Sequence, residues 1–189
     1  MPSNGDDTIA RASALAAIAQ RGRFGASKGA PGVELSVRHP VSIVSVISRR
    51  GQFQDVTNAL AARKDCEVRW AGFEQFYVVN DERAEGELYQ SLKRELSALA
   101  SVIDQSHGRV IIRLSGSKAR VVLAKGTPVD LHADEFPVGQ CAMTQMAHVG
   151  VHLVCTGADA FELSVFRGFS ESFWEWLTRQ SEEFGYEVA

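Results

Sequence analysis

The chain has 189 residues, 45% of them hydrophobic and 23% charged, and its 20 basic and 23 acidic residues leave a formal charge of −3. This length suits one well-buried core, or two small modules sharing one, and the composition excludes a disordered chain. The near-neutral balance, without Lys/Arg runs among aromatics, excludes a nucleic-acid footprint, and no apolar stretch approaches the roughly 20 residues of a membrane span.

In chain order, residues 1–40 read as an N-terminal arm and linker. Residues 8–21 hold helix formers with few large apolar groups, a marginal helix that needs a docking surface. Gly22, Gly25, Gly29 and Gly32 then space a tether; a phosphate loop would follow a strand and end in GKS or GKT. The start, MPSNGDDTIA, is acidic and lacks the apolar run of a secretory signal.

Residues 41–189 read as the folded domain. VSIVSVI alternates as a strand, and Phe53, Val56 and Leu60 follow at helical spacing. CEVRW and QFYVV read as two strands, and Leu88, Leu92, Leu96 and Leu99 share one face of an amphipathic helix. A second round starts at GRVIIRL. Ser117 is the expected N-cap of KARVVLAK, with Gly126 and Pro128 ending that helix. Strands around CAMTQMA, VGVHLVC and FELSVF, the helix SESFWEWLTRQSEEF and a final YEV complete it. Apart from one extra strand the order is βαββαβ twice, over 41–104 and 105–189. The expected class is therefore α+β, with antiparallel sheets and helices packed on one face.

Three constellations invite chemistry. Asp104, Ser106 and His107 hold the residue types of a nucleophilic triad, yet triad members come from separate segments and Ser106 does not sit in a GxSxG elbow. They read instead as a turn in which Asp104 and Ser106 satisfy backbone groups. His148 and His152 are four apart, but in a strand that separation is about 13 Å, too far for one metal ion. Phe169, Phe173, Trp176, Leu177 and Phe184 define one face of the last helix. Trp174 lies about 100° round from it, which makes Trp174 a candidate partner-interface residue. The residues thus point to no catalytic, cofactor-binding or metal set within this chain. Cys66, Cys141 and Cys155, odd in number and far apart, read as reduced thiols of a cytoplasmic protein.

DQSHGR, LSGSKAR, the phrase GTPVDLH ahead of FPVGQCAMT, and FELSVFRGFSESFWEWL, taken in order, resemble the gamma subunit of heterotetrameric sarcosine oxidase. More distantly the layout is similar to the folate-binding aminomethyltransferase domain of glycine cleavage. That wider family carries a catalytic Asp in a Gly-x-x-Asp-Asp phrase, where this chain has HVGVHLV, with Val151 and His152 at the acidic positions. The resemblance implies an accessory subunit without an active site of its own, assembled with alpha, beta and delta subunits. Those chains are expected to hold FAD, FMN, NAD and tetrahydrofolate, and to demethylate sarcosine oxidatively to glycine, with hydrogen peroxide and methylenetetrahydrofolate formed. Two alternatives are a gamma-like subunit of a related N-methyl amino acid dehydrogenase complex and a free-standing folate-binding one-carbon transfer protein.

Overall fold

The computed structural model describes residues 12–25, 29–81, 84 and 86–189. Two antiparallel-rich sheets are stacked between two pairs of helices. The first is built from β3 (Ser42–Ser48), β4 (Glu67–Gly72), β5 (Gln75–Asn80) and β6 (Ala100–Asp104), in the order β4-β5-β3-β6. Helices α1 (Phe53–Ala62) and α2 (Glu87–Glu95) make its crossovers, giving the expected split βαβ arrangement. Alternation divides the strand residues between the faces. Val44, Val46 and Val78 meet Val56 and Leu60 of α1 and Leu88 and Leu92 of α2, whereas Ile43, Tyr77 and Val79 point to the second sheet.

The second sheet has seven strands, β1 (Gly22–Phe24), β2 (Val33–Arg38), β7 (Arg109–Ser115), β8 (Cys141–Met146), β9 (Val149–Gly157), β10 (Ala160–Phe166) and β11 (Tyr186–Val188). Their order is β1-β11-β2-β7-β10-β9-β8. Helices α3 (Ala119–Ala124) and α4 (Ser170–Ser181) cover its outer face. Between sheet and helices lies the larger core, with Val110, Ile112, Leu114, Leu153, Phe161 and Leu163 among its buried members.

The structure corrects the reading of residues 1–40. The described part of the expected helix, residues 12–21, forms turns, and Leu15 is fully buried in the main core; the rest of that helix lies outside the described residues. The expected tether contributes β1 on the sheet edge, and the rest of the expected linker contributes β2 inside the sheet, antiparallel to β7 and parallel to β11. Val33 and Leu35 are core residues. Two of the tether's glycines permit close approach: a Cβ on Gly25 (φ +81°) would lie 2.5 Å from the Glu182 carbonyl oxygen and one on Gly32 2.8 Å from the Lys118 side chain, while one on Gly116 (φ +114°) would lie 2.5 Å from the Gly32 carbonyl oxygen. Ser117 is not the N-cap of α3 either. Lys118 holds that place, without a side-chain capping bond.

Trp174 is also corrected as to its place on the helix. The buried side of α4 is Ser170, Phe173, Trp174, Leu177 and Ser181, an i, i+3, i+4, i+7, i+11 stripe. Trp174 is 4% exposed and belongs to the main core. Phe169 is 54% exposed, and Trp176 only flanks the core. Two serines hid the true face: Ser170 Oγ donates to the Arg167 carbonyl at 2.7 Å and Ser181 Oγ to the Leu177 carbonyl at 2.8 Å. Bonded to their own helix region, they can be buried where a hydropathy pattern expects water.

Candidate functional site

The space between the two sheets holds an ionic layer. Arg38 ends β2, Arg113 lies on β7, Glu162 on β10, and Glu67 and Arg69 on β4. Each occupies the strand position that alternation turns away from the helices. Glu162 is its centre. It accepts from Arg38 Nη1 at 2.9 Å, Arg69 Nη2 at 2.6 Å and Arg113 Nε at 2.8 Å. Arg38 also donates to Glu67 Oε1 and Asp81 Oδ1, both at 2.8 Å, and Arg69 is bonded to Glu67. Three guanidiniums therefore face three carboxylates, and the bonds cross from one sheet to the other.

Burial by itself would push the Glu162 carboxyl up, but Arg69, Arg113 and Arg38 outweigh it and hold it below the usual carboxylate range. Glu67 is lowered in the same way by Arg38 and Arg69 against its burial. Both acids are ionised at neutral pH and committed to arginines, which suits clamping rather than proton transfer. At its open side the layer meets a cleft of about 650 Å³, lined by Arg69, Arg113, Glu162, Cys141 and Thr156 among others. Burial raises the Cys141 thiol, which lowers its thiolate fraction and hence its nucleophilicity.

His152 lies deeper in the same layer, 1% exposed, with Nε2 2.9 Å from the Trp70 carbonyl oxygen. A carbonyl only accepts, so Nε2 carries the proton and Nδ1 the lone pair. Burial pushes its pKa down to about 4, and the ring is neutral. It meets Tyr77 edge-on at 5.0 Å. The Arg109 guanidinium is held between the Tyr77 ring at 4.7 Å and the Phe166 ring at 4.1 Å.

The residues singled out by sequence fall in separate places. Ser106 Oγ accepts from the Ile43 amide at 3.0 Å, and the Ser106 amide donates to Asp104 Oδ1 at 2.9 Å. The DQSHG stretch is therefore the expected turn, and it fastens the β6–β7 connection to β3. His148, with φ +66°, sits in the tight β8–β9 turn beside Ala147 at φ +51°, while His152 is enclosed between the sheets. Val151 is fully buried in the main core. Sequence reasoning missed Arg38, Glu67, Arg69, Asp81, Arg113 and Glu162. The available signal was a charge in mid-strand between apolar neighbours, as in VIIRL and FELSV.

Among the described residues, no helix is long and apolar enough to cross a membrane. The model of the sarcosine oxidase, gamma subunit family matches residues 36–183. The gamma subunit of sarcosine oxidase from Corynebacterium sp. (strain P-1) is 34% identical over 122 residues, 64% of this chain and 59% of that protein. The Arthrobacter sp. gamma subunit is 32% identical over 133 residues, 69% of this chain and 64% of that one. The match thus spans about three fifths of the length of these curated relatives. In solved structures, a chain of heterotetrameric sarcosine oxidase from Corynebacterium sp. U-96, in complex with pyrrole 2-carboxylate, is 25% identical. It superposes with a TM-score of 0.78 over 92% of this chain and 96% of that one. The glycine cleavage system aminomethyltransferase T from Bartonella henselae shares the fold at 18% identity and a TM-score of 0.59, over 83% of this chain and 47% of that one.

Proposed function

Because the chain belongs to the sarcosine oxidase gamma subunit family, we propose that it is the gamma subunit of a heterotetrameric sarcosine oxidase. In this reading it assembles with alpha, beta and delta subunits in the cytoplasm and acts as an accessory chain. FAD, FMN, NAD and tetrahydrofolate are held by those partners, where sarcosine is oxidatively demethylated to glycine with peroxide and methylenetetrahydrofolate formed. The observation that carries the proposal is the likeness to a chain of the assembled Corynebacterium enzyme over nearly the full length of both chains. The accessory role is supported by the inter-sheet layer, whose carboxylates are bound to arginines and whose histidine is enclosed.

The test is co-expression with the neighbouring reading frames, native isolation and an assay of sarcosine-dependent peroxide. Co-purification as a stoichiometric complex that produces peroxide is expected. A chain that purifies alone as a stable monomer and binds tetrahydrofolate tightly would overturn the proposal in favour of a free-standing folate protein.

A further inference from the structure

Residues of α4, β1, β11 and the segment before β1 line an open groove of about 690 Å³. Its lining is mixed, about half of it aromatic or apolar and the rest polar or acidic. Phe24 and Tyr186 stack there with centroids 5.2 Å apart and planes 23° apart, and Ile18, Trp174 and Val188 adjoin them. The charged residues of the lining are Glu171 and Glu175, and among the described residues no cation lines it. Arg179 meets Glu175 from outside the groove at 3.4 Å, but both side chains are about 70% exposed, so the pair neutralises little in water.

An exposed aromatic ring and apolar side chains beside carboxylates of one sign attract a positive charge carried next to apolar surface. A guanidinium or ammonium can lie over the exposed Phe24 ring, with the buried Tyr186 and Trp174 behind it, while the carboxylates take its hydrogen bonds. The groove is an open channel along one flank of α4, which suits a polypeptide segment better than an enclosed small molecule. We infer that this groove docks a segment of a partner subunit that presents a Lys or Arg flanked by apolar side chains. The inference rests on the subunit reading above and adds the surface and the chemistry of its partner. The residues before β1 supply Ile18 and Gln20 to the lining, so the seated N-terminal segment is part of the docking surface.

The test uses the co-expressed complex. E171K/E175K reverses the charge of the groove at exposed positions, and D134K/E135K makes the same change on an exposed loop elsewhere. Partner retention is measured by affinity capture over a salt series, with circular dichroism to show that each variant folds. A photo-crosslinking amino acid at position 20 or 172 then identifies the occupant by mass spectrometry. The expected result is at least about tenfold weaker retention for the groove variant, unchanged retention for the loop variant, and cross-links to a Lys- or Arg-containing partner peptide. Groove-variant retention equal to that of a wild-type chain that does assemble overturns the inference and leaves the subunit reading intact. Cross-links to a second copy of this chain overturn it in favour of self-association. Failure of the wild-type chain to assemble overturns the subunit reading itself.

Discussion

Replacing Glu162 by glutamine keeps the shape of the side chain and removes one negative charge from the layer between the sheets. Arg38 Nη1 reaches both carboxylate oxygens, at 2.9 and 3.2 Å, Arg69 Nη2 lies at 2.6 Å and Arg113 Nε at 2.8 Å. In the amide, one acceptor becomes an NH2 donor that faces arginine donors. Arg38 and Arg69 are each 5% exposed along the side chain, so water cannot replace the lost acceptor. Breaking a buried pair from one side costs roughly 3–5 kcal/mol. Glu67 and Asp81 still hold Arg38, which places Glu162→Gln near the lower end, at about 3 kcal/mol. For a domain of this size each kcal/mol lowers Tm by roughly 2–4 °C, so the expected fall is about 6–12 °C. Urea and thermal unfolding followed by circular dichroism measure it. Arg113→Ala, at a side chain 49% exposed, should cost less than about 1 kcal/mol. A Glu162→Gln protein within about 1 kcal/mol of the parent would refute the reasoning, because the clamp would then contribute nothing between the sheets.

Further outcomes are expected. His152 has a folded pKa of about 4 against about 6.5 when unfolded, so the unfolded chain binds the proton first as pH falls. Its contribution is complete above about pH 6.5 and roughly 3 kcal/mol is lost by about pH 4; urea titrations at pH 7 and pH 4.5 should show this slope in the parent and not in His152→Gln. Glu162 and Glu67, with lowered pKa values, add a loss of stability only below their unfolded pKa of about 4.3. Ser106→Ala removes the bond to the Ile43 amide and should destabilise by about 1–3 kcal/mol while leaving peroxide formation by the assembled complex unchanged below the melting range; lost turnover in a folded complex would argue for chemistry at the turn. Trp174→Ala should cost about 3–5 kcal/mol in the isolated chain, and a near-neutral value there would contradict its place in the core.

Legibility followed the reach of each interaction. The first βαββαβ round could be read because its residues alternate in strands or repeat at helical spacing within short windows. Leu88, Leu92 and Leu96 are all fully buried, as their spacing requires. The Asp104–Ser106 turn was readable for the same reason, since one of its bonds closes within two residues. Residues 22–32 were misread because glycine-rich sequence carries little local signal, and the short alternation of Val33, Leu35 and Val37 that follows was passed over with them. Their strands exist only through partners more than 70 positions away, β11 and β7. On α4, buried serines shifted the apparent apolar face and concealed the position of Trp174.

From the sequence alone follow the α+β class, the order of most elements, the structural nature of the DQSHG turn, and the resemblance that the family match confirms. These rest on short-range periodicity and on an ordered set of motifs. The tertiary structure decided which residues share the layer between the sheets. Arg38 and Glu162 are 124 positions apart, yet they meet across β7, which separates their strands in one sheet, and Glu162 also binds Arg69 of the other. An ion pair has no period along the chain, so only the folded packing of the sheets brings these charges together.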